Sequence, residues 1–113
     1  MRERILKNIG FEEALALDAL VSYQDGQIVS RTLVQNAAVS ITLFAFDTGE
    51  EISAHESQGD ALVTVLDGSA VITINEKEFT LSAGQSIVMP AGIPHAVKAA
   101  SPFKMLLVVT FPV

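Results

Sequence analysis

The sequence predicts one all-β domain, a sandwich or closed barrel of antiparallel strands, entered through a short N-terminal helical segment. Three observations carry that prediction. From Gln27 onward the residues alternate in polarity and are rich in Val, Ile and Thr, which is the period-2 pattern of half-buried strands. Turn residues recur at roughly 8–12-residue intervals, the spacing of a sandwich or barrel. The chain has 113 residues, 50% of them apolar, enough for one core and too few for a second.

Residues 1–26 read as a lead-in. Within it Phe11 to Val21, FEEALALDALV, combines helix formers with Glu12 and Glu13 at the start, where acidic groups favour a helix through its dipole. A short helix or helical turn is expected there. The barrel domain takes 27–113, with strands expected near 27–35, 38–46, 51–55, 60–66, 69–75, 77–81, 85–89, 94–98 and 103–111. Asp47-Thr48-Gly49 closes the second strand, and Asn75-Glu76-Lys77 joins two more by a polar tip. Asp67-Gly68 lies between the runs ALVTVL and SAVITI, where a glycine at positive φ predicts that the chain folds back as a hairpin.

The last strand carries Phe103, Met105, Leu107, Val109 and Phe111 on one face, and Leu106 and Val108 on the other. Two apolar faces predict burial on both sides, inside a two-layer sandwich or against a second copy of the chain. A homodimer is expected, since so small and apolar a domain otherwise exposes a large patch.

Composition excludes several function classes. Seven Lys and Arg against thirteen Asp and Glu leave a net charge of −6, which opposes a nucleic-acid backbone or an anionic membrane surface. No apolar run approaches the ~18 residues of a membrane span. The opening MRERILKNIG lacks the apolar core of a secretory signal, so a cytoplasmic location is expected. The absence of cysteine removes disulfides, thiolate zinc sites and a cysteine nucleophile. Ser57 has no acid–base partners at a spacing that would mark a hydrolase triad.

The chemistry centres on the only two histidines, His55 and His95, each next to a turn. Residues 84–95 read GQSIVMPAGIPH, with Gly84, Pro90, Gly92 and His95 spaced as G-x5-P-x-G-x2-H. Residues 49–68 place Gly49, His55 and Gly68 in a second glycine–histidine–glycine pattern. Together these segments resemble the two motifs of the cupin superfamily over roughly residues 38–111. That resemblance implies a small jelly-roll barrel, a double-stranded β-helix, often dimeric and with a cavity at its mouth. It also implies a divalent transition metal, Fe, Mn, Ni, Cu or Zn, held in such a cavity. Here the second histidine slot of the first motif is Ser57, its glutamate slot is Ala61, and the last asparagine slot of the second motif is Ala99. Only His55 and His95 remain as metal ligands, a depleted set.

Strand alternation would turn His55, Ser57 and Ala61 to one face and Glu56, Gln58 and Asp60 to the other, unless a turn at 57–60, permitted by Gly59, breaks the parity. The expected ligand pocket is His55, Ser57, Ala61, Met89 and His95. Met89 and Met105 are expected chiefly to fill core gaps, and Phe44, Phe46, Val63, Val65, Leu107 and Val109 are expected to be core before cavity lining. Three functions fit: a binding module for a small molecule, a metal-dependent dioxygenase, isomerase or decarboxylase, and a metal-free isomerase or lyase using His55 or His95 as general base.

Overall fold

The computed structural model describes residues 4–113. Residues 1–3 of the predicted lead-in lie outside the described residues. Nine strands follow one another: β1 (Ile28–Gln35), β2 (Val39–Phe46), β3 (Glu51–His55), β4 (Asp60–Asp67), β5 (Ser69–Ile74), β6 (Lys77–Ser82), β7 (Ser86–Met89), β8 (His95–Ala99) and β9 (Phe103–Thr110). They form a five-stranded sheet, β1-β2-β9-β4-β7, and a four-stranded sheet, β3-β8-β5-β6. All strand pairs are antiparallel. This is a jelly roll.

The core lies between the sheets because one face of each strand is apolar. Phe46, Val63, Val65, Ile72, Phe103 and Met105 are at most 1% exposed there, and Phe44 packs partly buried against them. Phe46 and Phe103 anchor it, with ring centroids 4.6 Å apart, and each buries a large apolar area.

The outer face of the five-stranded sheet answers the question raised by the last strand. Leu33, Leu43 and Ala45 are buried beneath Val21, with Ile9, Leu17, Leu20 and Leu106 packed around them. The chain's own N-terminal segment thus covers one half of that face. Tyr23 Oη donates to Asp67 Oδ2 at 2.5 Å and Lys104 Nζ donates to the Asp18 carbonyl at 2.7 Å, which ties the segment down. Burial and the Asp67 carboxylate both push the Tyr23 phenol far above its usual range. On the other half Ile41, Val108, Leu62 and Val88 stand in register across β2, β9, β4 and β7, with Leu62 41% and Val88 54% exposed.

Two expectations are corrected. The helical segment is only a 3-10 turn, Leu17–Leu20. Phe11–Glu13 are exposed and bend instead, with Glu12 at φ 58, while Ile9, Leu17 and Leu20 on either side pack on the outer sheet face, so tertiary packing overrides propensity. Asp67-Gly68 does not close a hairpin: β4 pairs with β7 and β9, whereas β5 pairs with β6 and β8. It is the corner at which the chain changes sheets. Gly68 sits there at φ +73, and an added Cβ would stand 2.0 Å from the Pro102 carbonyl oxygen, so only glycine fits. Asn75-Glu76 does join a hairpin, since Ile74 pairs with Lys77.

Candidate functional site

His55 ends β3 and His95 begins β8, and the two face each other as cross-strand partners. Their ring centroids are 4.3 Å apart, with the planes at 67°. Neighbouring strands therefore bring together side chains distant in sequence.

The loops on either side are stitched to each other. Ser57 Oγ accepts from the Gly59 amide at 3.1 Å, which turns the chain between β3 and β4. The Gly92 amide donates to the Ser57 carbonyl at 2.8 Å, and the Ala91 amide donates to Asp60 Oδ1 at 2.8 Å. An added Cβ on Gly59 would lie 2.4 Å from the Thr110 carbonyl oxygen, so this turn packs directly on the end of β9. The Pro90–Gly92 turn and the 57–60 turn thus form one rim.

Both imidazoles are oriented by the same device. His55 Nδ1 lies 2.9 Å from the Ser53 carbonyl oxygen, and His95 Nδ1 lies 3.2 Å from the Ile93 carbonyl oxygen. A carbonyl only accepts, so each Nδ1 is the donor, and in the neutral ring Nε2 keeps its lone pair. His95 is 3% exposed, while His55 is exposed. Burial lowers the pKa of His95 below the usual 6.5; the Ile93 carbonyl opposes that shift and His55 adds to it. His95 is the neutral, inner imidazole and His55 the outer one.

A cavity of about 250 Å³ opens between the sheets beside them. His55, Ser57, Ala61, Met89 and His95 all line it, so the structure brings the whole predicted pocket set together. Ala61 and Met89 are each 2% exposed and are partners across the β4–β7 ladder. Met105, Leu107 and Val109 also line it while belonging to or packing on the core; they serve both roles.

Strand parity misplaced one residue. Glu56 lines the cavity, because β3 stops at His55 and the next residues have left the strand. Gln58 and Asp60 stay outside it, in shallower depressions beside Ala91 and Pro112. Ile52 and Val97 complete the apolar wall, and they are cross-strand partners. Alternation from His95 marks Val97. Ile52, three residues before His55, shares its cavity because the β3–β8 register shifts between them, and no sequence signal announces that irregularity.

Residues 42–110 match the family model described as "Cupin domain". The chain belongs to the cupin family. This cupin is similar to a solved protein of unknown function from Streptococcus pyogenes, at 47% identity and TM-score 0.96, covering 98% of this chain and 97% of that one. It is also similar to a cupin superfamily protein from Desulfitobacterium hafniense, at 35% identity and TM-score 0.92, covering 96% of this chain and 100% of that one. Among curated proteins it is 41% identical over 78 residues to the HTH-type transcriptional regulator PuuR of Escherichia coli, covering 62% of this chain. The match spans only 40% of that regulator's length.

The donor set decides how this cupin stands toward a transition metal. Among the described residues no group of three or more His, Cys, Asp or Glu side chains gathers to hold an ion. Fe, Mn, Ni, Cu and Zn sites use three or four protein donors, usually with negative charge among them. Two imidazoles, with Ser57 and Ala61 in the other ligand slots, do not fit that requirement.

Proposed function

We propose that this cupin is a binding module that takes up a small organic molecule in the cavity beside His55 and His95. The observation that carries the reading is the cavity's composition: an apolar wall of Ile52, Val97, Met105, Leu107 and Val109 with polar groups concentrated at His55, Glu56, Ser57 and His95. A concave apolar pocket with a few convergent polar groups holds a ligand and orients it. At about 250 Å³ and roughly 30 Å³ per water-sized unit, it accommodates about eight non-hydrogen atoms.

The partial likeness to a transcriptional regulator supports a role in sensing such a molecule. Helix within residues 4–113 is limited to Leu17–Leu20, so no helix-turn-helix lies among the described residues. A DNA response would have to come from another protein segment. The second reading is a metal-free isomerase or lyase, favoured by one observation: His95 is buried and held neutral, as a general base must be.

The same reading takes the protein as a homodimer joined through the row Ile41, Val108, Leu62 and Val88. A chain of net charge −6 repels its own copies, and this row and its neighbours Leu106, Thr64 and Ser86 carry no charge. Two copies packed on this row meet with Asp60, two residues before Leu62 on the same face, as a like charge at its edge.

A thermal-shift screen of small alcohols, amines, acids, sugars and carbonyl compounds tests the binding reading. A saturable rise in unfolding temperature that disappears in His95→Ala is expected. Insensitivity to every compound refutes it, and turnover of a bound compound moves the assignment to the enzyme. Elemental analysis of untagged protein is expected to find transition metal below about a tenth of the protein concentration; stoichiometric metal would overturn the donor-set argument.

A further inference from the structure

The inner wall of the cavity carries one buried acceptor. His95 lines the cavity and is almost wholly buried, and its Nδ1 proton goes to the Ile93 carbonyl. That is the ring's one hydrogen bond among the described residues, where no fully buried side-chain nitrogen or oxygen lacks a partner. Nε2 is therefore the part of the ring left accessible, and the cavity is the space it opens to. Burial keeps the ring neutral, so Nε2 presents a lone pair there. Around it the wall is apolar, from Ile52, Val97, Leu107 and the thioethers of Met89 and Met105. The other polar groups lie nearer water or are already engaged: His55 and Glu56 are exposed, and Ser57 Oγ accepts from the Gly59 amide. No lysine or arginine lines the cavity.

We propose that the cavity selects a small uncharged phenol, its hydroxyl donating to His95 Nε2 and its ring lying against Met89, Met105 and Leu107. This rests on the reading of the cavity as a ligand site and names the class of ligand. A single inner acceptor is matched by a single donor, and a phenol has one O–H. Its pKa is roughly 10, as for tyrosine, against about 15.7 for water, so it donates more strongly than an alkyl hydroxyl while staying neutral near pH 7. A hydrocarbon alone would strip water from Nε2 and leave a buried acceptor unpaired, which costs affinity. Aromatic edges also make favourable contacts with thioether sulfur. A carboxylate would lose its hydration with no cation in the wall to replace it. Phenol fits a space for about eight non-hydrogen atoms.

Phenol, toluene and benzoate share one ring, and phenol and toluene have nearly the same shape. Two-dimensional NMR titration at about pH 7.5 compares their dissociation constants while phenol remains neutral. Phenol is expected to bind at least about fivefold tighter than toluene, with benzoate weakest. The chain has only two histidines, so His55→Gln assigns their nitrogen-15 signals. Phenol, but not toluene, is expected to move the His95 Nε2 signal upfield, as an imidazole nitrogen does when it accepts a hydrogen bond. His95→Phe is expected to erase phenol's advantage while toluene still binds; if that variant does not fold, the nitrogen-15 signal of the parent protein decides. Toluene binding as tightly as phenol, benzoate binding tightest, a His95 Nε2 signal indifferent to phenol, or an advantage that survives His95→Phe would each overturn the ligand class while the binding site itself stands. If none of the three binds, the phenol class falls, and the thermal-shift screen separates the two readings: a saturating compound there keeps the binding module, and insensitivity there removes it as well.

Discussion

Replacing Ala61 by leucine tests the cavity from the side of β4. Ala61 is 2% exposed, lines the cavity and lies between Met89 of β7 and Val109 of β9, so its Cβ already points into apolar surroundings. Leucine adds three carbons at about 0.8 kcal/mol for each buried CH₂, a gain of about 2.4 kcal/mol. Ordering the longer side chain costs about 0.5–1 kcal/mol. The net is a stabilisation of about 1.5 kcal/mol, or roughly 6 °C for a domain of this size. The three carbons also take up roughly a third of a space for about eight non-hydrogen atoms, so ligand binding should weaken at least tenfold. Differential scanning calorimetry with and without the ligand found by screening reads both effects. A variant destabilised by more than about 2 kcal/mol would show that the space is already filled and that leucine overpacks it. A stabilised variant that binds ligand as well as the parent would show that the ligand sits elsewhere.

Other predictions follow from single contacts. His95 has a folded-state pKa below its ordinary 6.5, so the unfolded chain binds protons more readily than the folded one as pH falls past that value. Its contribution to stability is therefore complete above about pH 6.5 and lost as pH drops through the folded pKa. Urea unfolding from pH 7.5 to 5 should show this decline, reduced in His95→Gln; an equal slope in both proteins would contradict it, since the other titratable cavity groups, His55 and Glu56, are retained. Gly68→Ala places a methyl group 2.0 Å from the Pro102 carbonyl oxygen at φ +73. A loss of at least about 2 kcal/mol is expected in chemical denaturation, and a loss under about 0.5 kcal/mol would mean that the corner relaxes freely. Val88→Lys puts a charge at the edge-strand end of the uncharged outer row. Light scattering should show the dimer replaced by monomer with the fold retained, whereas an unchanged mass would place the contact between copies elsewhere or show that there is none.

Much of this molecule was legible from local pattern. Alternation, β-branched composition and turn residues located all nine strands to within about two residues of their ends, most plainly in β4, whose residues alternate between exposed or half-buried and buried. The spacing of Gly84, Pro90, Gly92 and His95 marked the turn that launches β8. His55, Ser57, Ala61, Met89 and His95 do line one cavity. Errors arose where local geometry depends on what lies opposite. Glu56 was placed on the wrong face because parity holds only while the chain stays extended, and β3 ends one residue earlier. Asp67-Gly68 looked like a hairpin turn because a corner and a hairpin use the same residue types; the Pro102 carbonyl, which shapes this one, comes from a distant loop.

The sequence by itself determined the strand-forming segments, the turns and the supply of side chains, since these depend on neighbours within a few residues. Tertiary structure alone decided which strands pair, that His55 stands opposite His95, and which nitrogen of each ring is spent on a carbonyl. It also decided that half of the outer sheet face is covered by the chain's own N-terminal segment. Those outcomes depend on contacts between residues far apart in the chain, and short-range periodicity carries no information about which distant surfaces will meet.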